Sequence, residues 1–228
     1  MPRQFELELK ELQRKMLRLG GLAEDMLHRA VESVLNRDEK LAQDVIEDDN
    51  QADALENEIE ECCIQLIALH QPAASDVRFL TMAMKINRDL ERMADKAVDI
   101  AQRCLELLQD APVKPFVDLP RVATIVQGMV KDALDAFVNR DAALAKEVRE
   151  RDDQVDAIYD QTLRELLTYM MEQPKLIAPG IRNLLLFRHL ERVGDLAANI
   201  GEEVYYLVEG DVIRHSDSSK HEKKSDQP

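Results

Sequence analysis

The chain contains no tryptophan, and aromatic residues make up only 4% of it, so its core must be built from aliphatic side chains and methionine. Glycine and proline are scarce, 7 and 8 among 228 residues. The turn chemistry that punctuates sandwiches and barrels is therefore missing. Three cysteines, Cys62, Cys63 and Cys104, show no paired spacing. They make no disulfide framework and fit a reducing compartment. The amino end, MPRQFELELKELQRK, is too charged for a signal peptide, and no apolar run approaches the roughly 18 residues a membrane span requires. A cytoplasmic location is expected. Basic residues are the minority, 30 against 45 acidic, for a formal net charge of −15. Phosphate backbones repel such a chain, which lacks the basic face of a nucleic-acid binder. Cations and basic protein surfaces are its natural partners.

What remains is rich in Leu, Ala, Glu, Arg and Met, the strong helix formers. No useful stretch alternates like a strand, so the class is all-α. Apolar spacing and breakers predict six helices near 4–36, 38–71, 75–110, 119–139, 141–173 and 177–209. At 1.5 Å per residue the long ones are rods on the order of 50 Å. Arg37-Asp38 and Arg140-Asp141 mark short turns in which each Asp caps the next helix. Gln71-Pro72 and Gln173-Pro174 mark another pair, because proline cannot continue a helix interior.

These marks fall in the same order twice. Asp49-Asn50-Gln51-Ala52-Asp53 matches Asp152-Asp153-Gln154-Val155-Asp156, and LERMADKAVDIAQ at 90–102 matches LERVGDLAANIGE at 190–202. A duplicated three-helix unit is the simplest account, giving two tandem three-helix bundles. The expected domains are 1–111 and 119–210, joined by a proline-rich linker at 112–118 and followed by a polar tail at 211–228. The tail lacks periodicity and is expected to be disordered.

The acidic residues do not sit where a solvated face would put them. At about 100° per residue, Asp49, Asp53, Glu56 and Glu60 fall within about 60° of one another. They lie on or beside the apolar stripe of Leu41, Val45, Ala52, Ile59, Cys63 and Ile67. On the third helix Glu91 and Asp95 lie on one rim of the arc formed by Leu90, Met93, Ala94, Ala97, Ala101 and Leu108, whereas Asp99 points to solvent. Glu191 and Asp195 repeat that rim, with Asn199 outermost. Half-buried carboxylates must be paired, protonated or coordinated. Either Arg88, Arg92, Arg188 and Arg192 neutralise them, or facing helices hold cations between Asp49/Asp53 and Glu91/Asp95, and between Asp152/Asp156 and Glu191/Asp195. Oxygen-only ligands suit hard cations or carboxylate-bridged transition metals. Tyr159 and Leu163 replace Glu56 and Glu60 in the second copy, so its site is expected to bind fewer or weaker ions.

Enzyme signatures are absent. No histidine follows a glutamate by three residues, as ferritin-like di-iron sites require. There is no Walker loop, dinucleotide fingerprint or Cys/His zinc pattern. His189, opposite Asp89 in the other copy, reads as a surface or capping residue. A non-enzyme is expected. The alternatives are a metal-storage or oxidase bundle, for which histidine ligands are missing, and a metal-free structural adaptor.

With HQPAASDVRFL and the paired Asp-x-x-x-Asp stretches, the doubled Leu-Glu-Arg-x-x-Asp motif resembles the PhoU family of phosphate-uptake regulators, over nearly the whole chain to about residue 210. The resemblance implies two similar three-helix bundles with multinuclear metal sites, occupied by iron, manganese, zinc or magnesium. The implied ligands are Asp49, Asp53, Glu91 and Asp95, then Asp152, Asp156, Glu191 and Asp195. It further implies a homodimer that represses the phosphate-starvation response. Its partners would be the ATPase subunit of the Pst phosphate transporter and the PhoR-type sensor kinase.

Overall fold

A computed structural model describes residues 2–109 and 119–210, with side chains from Gln4 onward. The linker expected at 112–118 and the tail expected at 211–228 lie outside the described residues. Six long helices account for almost everything else. They are α1 (Pro2–Asn36), α2 (Glu39–His70), α3 (Ala74–Leu107), α4 (Leu119–Asn139), α5 (Ala142–Glu172) and α6 (Ile177–Glu209). A 3-10 turn, Pro174–Leu176, precedes α6. No strand occurs among the described residues, as the composition requires.

The helix boundaries follow from local chemistry. Asp38 accepts a hydrogen bond from the Leu41 amide at 3.0 Å. Asp141 accepts from the Ala143 and Leu144 amides, each at 3.0 Å. Both satisfy donors that the first helical turn leaves open. The residue before each cap is left-handed, Arg37 at φ 55 and Arg140 at φ 51. This conformation disfavours a side chain, and the arginines offset part of the cost. Arg37 Nη2 donates to the carbonyls of Leu107 and Leu108 at 3.1 and 3.2 Å, closing the last turn of α3. The Arg140 guanidinium lies 5.9 Å from the centre of the Phe79 ring.

Helices α1, α2 and α3 pack mutually, as do α4, α5 and α6. Leu12, Met16, Leu19, Met26 and Ile86 are fully buried in the first bundle, and Val126, Met129, Leu186 and Leu190 in the second. The bundles are joined chiefly by α3 against α6, and secondarily by α1 against α4. The α3–α6 contact is antiparallel: Arg78 meets Tyr206, Lys85 meets Glu203, Asp99 meets His189 and Glu106 meets Arg182. Phe79 of α3 also stacks on Phe137 of α4, with centroids 6.1 Å apart.

This interface corrects two expectations. Asp99 does not face solvent: it lies 2.5 Å from Lys96 Nζ and 3.3 Å from His189 Nδ1. His189 is correspondingly not a surface residue but part of the bundle–bundle seam, where burial lowers its pKa against the opposing pull of Asp99. A helical wheel drawn for α3 alone cannot show that α6 covers its outer side. Ile67 is corrected as well. It stands on the Asp49 side of α2 rather than on the core side, and is 38% exposed.

Close approach of α5 and α6 depends on Gly201, where a Cβ would sit 2.7 Å from the Ala145 carbonyl oxygen. Gly201→Ala is expected to destabilise the protein by about 1–3 kcal/mol through overpacking, exceeding the gain in helix propensity. Gly21 has open space around it, so Gly21→Ala should stabilise by about 0.5–1 kcal/mol. Urea denaturation of both variants checks the opposite signs.

Candidate metal centre

Helical periodicity brings four carboxylates together at each α2–α3 and α5–α6 contact. In the first bundle Asp49 and Asp53 come from α2, Glu91 and Asp95 from α3. Asp49 and Glu91 are half-buried, whereas Asp53 and Asp95 stand at the open edge. In the second bundle Asp152, Glu191 and Asp195 are half-buried and Asp156 is exposed. The Glu191 side chain retains 12% of its free surface. Oxygens of Asp156, Glu191 and Asp195 all lie within 4.8 Å of one another. This compact group lies in the copy with fewer acids, the one in which Tyr159 and Leu163 stand in for Glu56 and Glu60.

Among the described residues, arginine forms direct ion pairs with these carboxylates only in the second copy. Arg192 Nη1 lies 2.6 Å from Asp195 Oδ2, and Arg188 Nη1 lies 3.5 Å from Glu191 Oε1. In the first copy Arg92 turns away to Asp89, at 3.5 Å. Among the described residues, the carboxylates of Asp49, Asp53, Glu91 and Asp95 accept no hydrogen bond and join no ion pair. Three carboxylate oxygens among the described residues are both buried and unpartnered: Asp49 Oδ1, Asp152 Oδ1 and Glu191 Oε2. Asp49 and Asp152 are equivalent positions of the duplicated unit, so the same atom is left without a donor twice.

Burial and mutual repulsion set the charge state of the inward-turned carboxyls. Burial, followed by repulsion from Asp95 and Glu56, pushes the Glu91 carboxyl up to about 7. Burial, followed by Asp195 and Asp156, pushes Asp152 up to about 7 as well. Asp49, Glu56, Asp95, Asp156 and Glu191 are raised too, with desolvation the largest cause in each. Like charges gathered in a half-buried cleft hold their protons or take up another cation. The donor set is oxygen only, drawn from two helices, and matches hard cations and carboxylate-bridged transition metals. The fit to a metal is therefore good on the chain's own atoms.

Beside the second cluster is a cleft of about 290 Å³, whose walls include Asp152, Asp156 and Asp195 together with Arg92, Lys96 and Arg192. Arg92 and Lys96 reach it from α3, so the α3–α6 seam forms part of its wall. Single-helix reasoning set Arg92 beside the first cluster and did not bring Lys96 to this cleft. It also missed Gly194, where a Cβ would stand 3.3 Å from Asp152 Oδ1. The one signal in the chain was the difference between Ala94 and Gly194 at equivalent positions.

A duplicated bundle of long helices, with clusters of carboxylates between paired rods, defines a class of acidic helical scaffold. The chain matches the PhoU domain twice, over residues 16–104 and 119–204, and belongs to the PhoU family. It is 41% identical over 213 residues to the phosphate-specific transport system accessory protein PhoU homolog of Pseudomonas aeruginosa, covering 93% of this chain and 88% of that one. The homolog of Aquifex aeolicus is 39% identical over 208 residues, covering 91% and 94%. The crystal structure of PhoU from Pseudomonas aeruginosa superposes with a TM-score of 0.89 at 41% identity, covering 91% of this chain and all of that one. That of the phosphate transport system regulatory protein PhoU from Streptococcus pneumoniae gives 0.86 at 32% identity, over 92% and 99% of the two chains.

The raised carboxyls set a pH dependence for protein stripped with chelator. Glu91 and Asp152 bind protons more tightly folded, at about 7, than at their ordinary values of 4.5 and 3.8. The folded chain therefore takes up protons across that interval, and stability falls as pH rises through it. The stripped protein is expected to melt at a higher temperature at pH 5 than at pH 8. Adding a divalent ion should raise the pH 8 value more and release protons. Calorimetry at the two pH values checks both.

Proposed function

We propose that the protein is a negative regulator of phosphate uptake and of the phosphate-starvation response. It docks on the ATPase subunit of the Pst phosphate transporter and on a PhoR-type histidine kinase while phosphate is plentiful. It acts as a homodimer in the cytoplasm, reaches the inner membrane only through these partners, and catalyses no reaction. Support for the phosphate role comes from relatives named as accessory proteins of the phosphate-specific transport system, matched over about nine-tenths of their length. No helix among the described residues is long and apolar enough to cross a membrane.

The metal part of the proposal rests on one observation, the buried carboxylate oxygens of Asp49 and Asp152 that no donor reaches in either copy. Asp49, Asp53, Glu91 and Asp95 would hold one set of ions, and Asp152, Asp156, Glu191 and Asp195 the other. Iron, manganese, zinc and magnesium all suit such ligands. A bound ion supplies positive charge that the surrounding side chains do not. The chain's own part is positional: α2 and α5 present their aspartates, and α3 and α6 present the Glu-Asp pairs. Antiparallel packing of α3 on α6 sets the two clusters in a fixed relation, so the docking surface is rigid before any partner arrives.

Glu91→Ala with Asp95→Ala, and separately Asp152→Ala with Glu191→Ala, should each weaken metal binding at the altered half by at least about 10–100-fold. Elemental analysis of unchelated protein measures that loss. In phosphate-replete cells the same variants should switch on a phosphate-starvation reporter. Unchanged metal content together with unchanged repression would overturn the mechanism.

A further inference from the structure

We propose that the open face between α5 and α6, running from the acidic cluster toward the α5–α6 turn, is a groove for an amphipathic, acid-flanked helix of a partner protein. The duplication supplies the argument. Tyr159, Leu163, Ile181 and Leu185 stand where the first unit carries Glu56, Glu60, Thr81 and Lys85. Both units fold into the same bundle, and Thr81 and Lys85 are exposed in theirs. The apolar residues of the second unit are therefore not demanded by the core.

They also share one side. At about 100° per residue, Tyr159, Leu163, Leu167 and Met170 fall within about 80° on α5, on the Asp152 side. Leu184, Ile177, Arg188 and Ile181 fall within a similar arc on α6, beside Glu191. Leu167, Ile177, Ile181 and Leu185 are each exposed by 40% or more, and Leu163, Met170 and Leu184 are half-buried. A contiguous apolar strip of this kind, facing water on a chain this acidic, marks an interaction surface. Ile177, Ile181 and Leu185 recur every four residues, the ridge spacing that accepts the apolar face of a further helix.

Charge selects the occupant. Between residues 161 and 188, Arg164, Lys175 and Arg188 outnumber Glu165 and Glu172 even with Arg182 turned to Glu106 across the seam, although the whole chain carries −15. The equivalent stretch of the first unit carries Glu58, Glu60, Glu61 and Asp76 against Arg78, Lys85 and Arg88. Arg188 is held at the lip of the groove with its guanidinium 5.6 Å from the centre of the Tyr159 ring. Arg164 and Lys175 are exposed. Apolar floor and basic rim together fit a helix with leucines at i, i+4 and i+7 and acidic residues beside them. This deepens the docking reading above by naming one surface. The peptide measurement can fail while the phosphate-response experiment succeeds, and the reverse.

The probe is a fluorescein-labelled peptide of about four helical turns, with leucines at that spacing in a Glu/Ala background, read by anisotropy against the full chain as purified. A second peptide carries Lys in place of every Glu. The acidic peptide is expected to bind, with the basic one at least about tenfold weaker. Leu167→Glu with Ile181→Glu should weaken the acidic peptide at least about tenfold, each position losing one apolar anchor. Both sites are half-exposed, so melting temperature and metal content should stay unchanged. Ile64→Glu with Thr81→Glu, the equivalent change in the first unit, should leave binding intact. The proposal is overturned if neither peptide binds, or if both variants bind alike. It is also overturned if the Leu167/Ile181 variant converts a dimer to a monomer in sedimentation, which would assign the groove to a second copy of this chain.

Discussion

The candidate metal centre depends on carboxylates that helix geometry turns inward and next to one another, several of them beyond the reach of any hydrogen-bond donor. A lone half-buried acid can recruit an arginine or remain protonated. Four acids facing each other across a helix pair repel one another, and the shift of Glu91 and Asp152 toward neutrality shows how strongly. The arginines nearest in sequence do not resolve this. Arg92 pairs with Asp89, and Arg188 and Arg192 reach only the outer oxygens of their neighbours. The cluster is left with a residual demand for positive charge.

The second constraint is the seam between bundles. Helices α3 and α6 carry the Glu-Asp pairs and also pack on each other in antiparallel register, with Asp99 against His189 near the middle and Lys85–Glu203 and Glu106–Arg182 toward the ends. The metal-ligand candidates and the interface therefore share the same two rods. Arg92 and Lys96 of the first bundle line the cleft beside the second cluster, so the halves are not independent modules. The two units have also diverged at four positions of the open α5–α6 face: Glu56, Glu60, Thr81 and Lys85 of the first stand where the second carries Tyr159, Leu163, Ile181 and Leu185.

Much of the architecture was legible in the chain. The Asp caps at 38 and 141, the prolines at 72 and 174 and the doubled Leu-Glu-Arg motif located the six helices to within three residues of their observed ends, because capping and ring closure act locally. The inward tilt of Asp49 and Asp152 was also readable, since side-chain direction on a helix follows from spacing alone. Asp99, His189 and Ile67 were misplaced for a common reason. A wheel drawn for one helix records the angle of a side chain and not which neighbour stands at that angle.

Sequence alone thus determined class, helix number, duplication and the clustering of acids, all of which arise from interactions a few residues apart. Only the tertiary structure decided that α3 meets α6 and that Arg92 crosses to the second cleft. It also decided that Asp156, Glu191 and Asp195 converge more tightly than the acid-richer half, and that the apolar strip of the second unit is left open to water. Those outcomes depend on the register of rods distant in the chain, which is set by how whole faces interlock, such as Gly201 against Ala145 and Phe79 against Phe137.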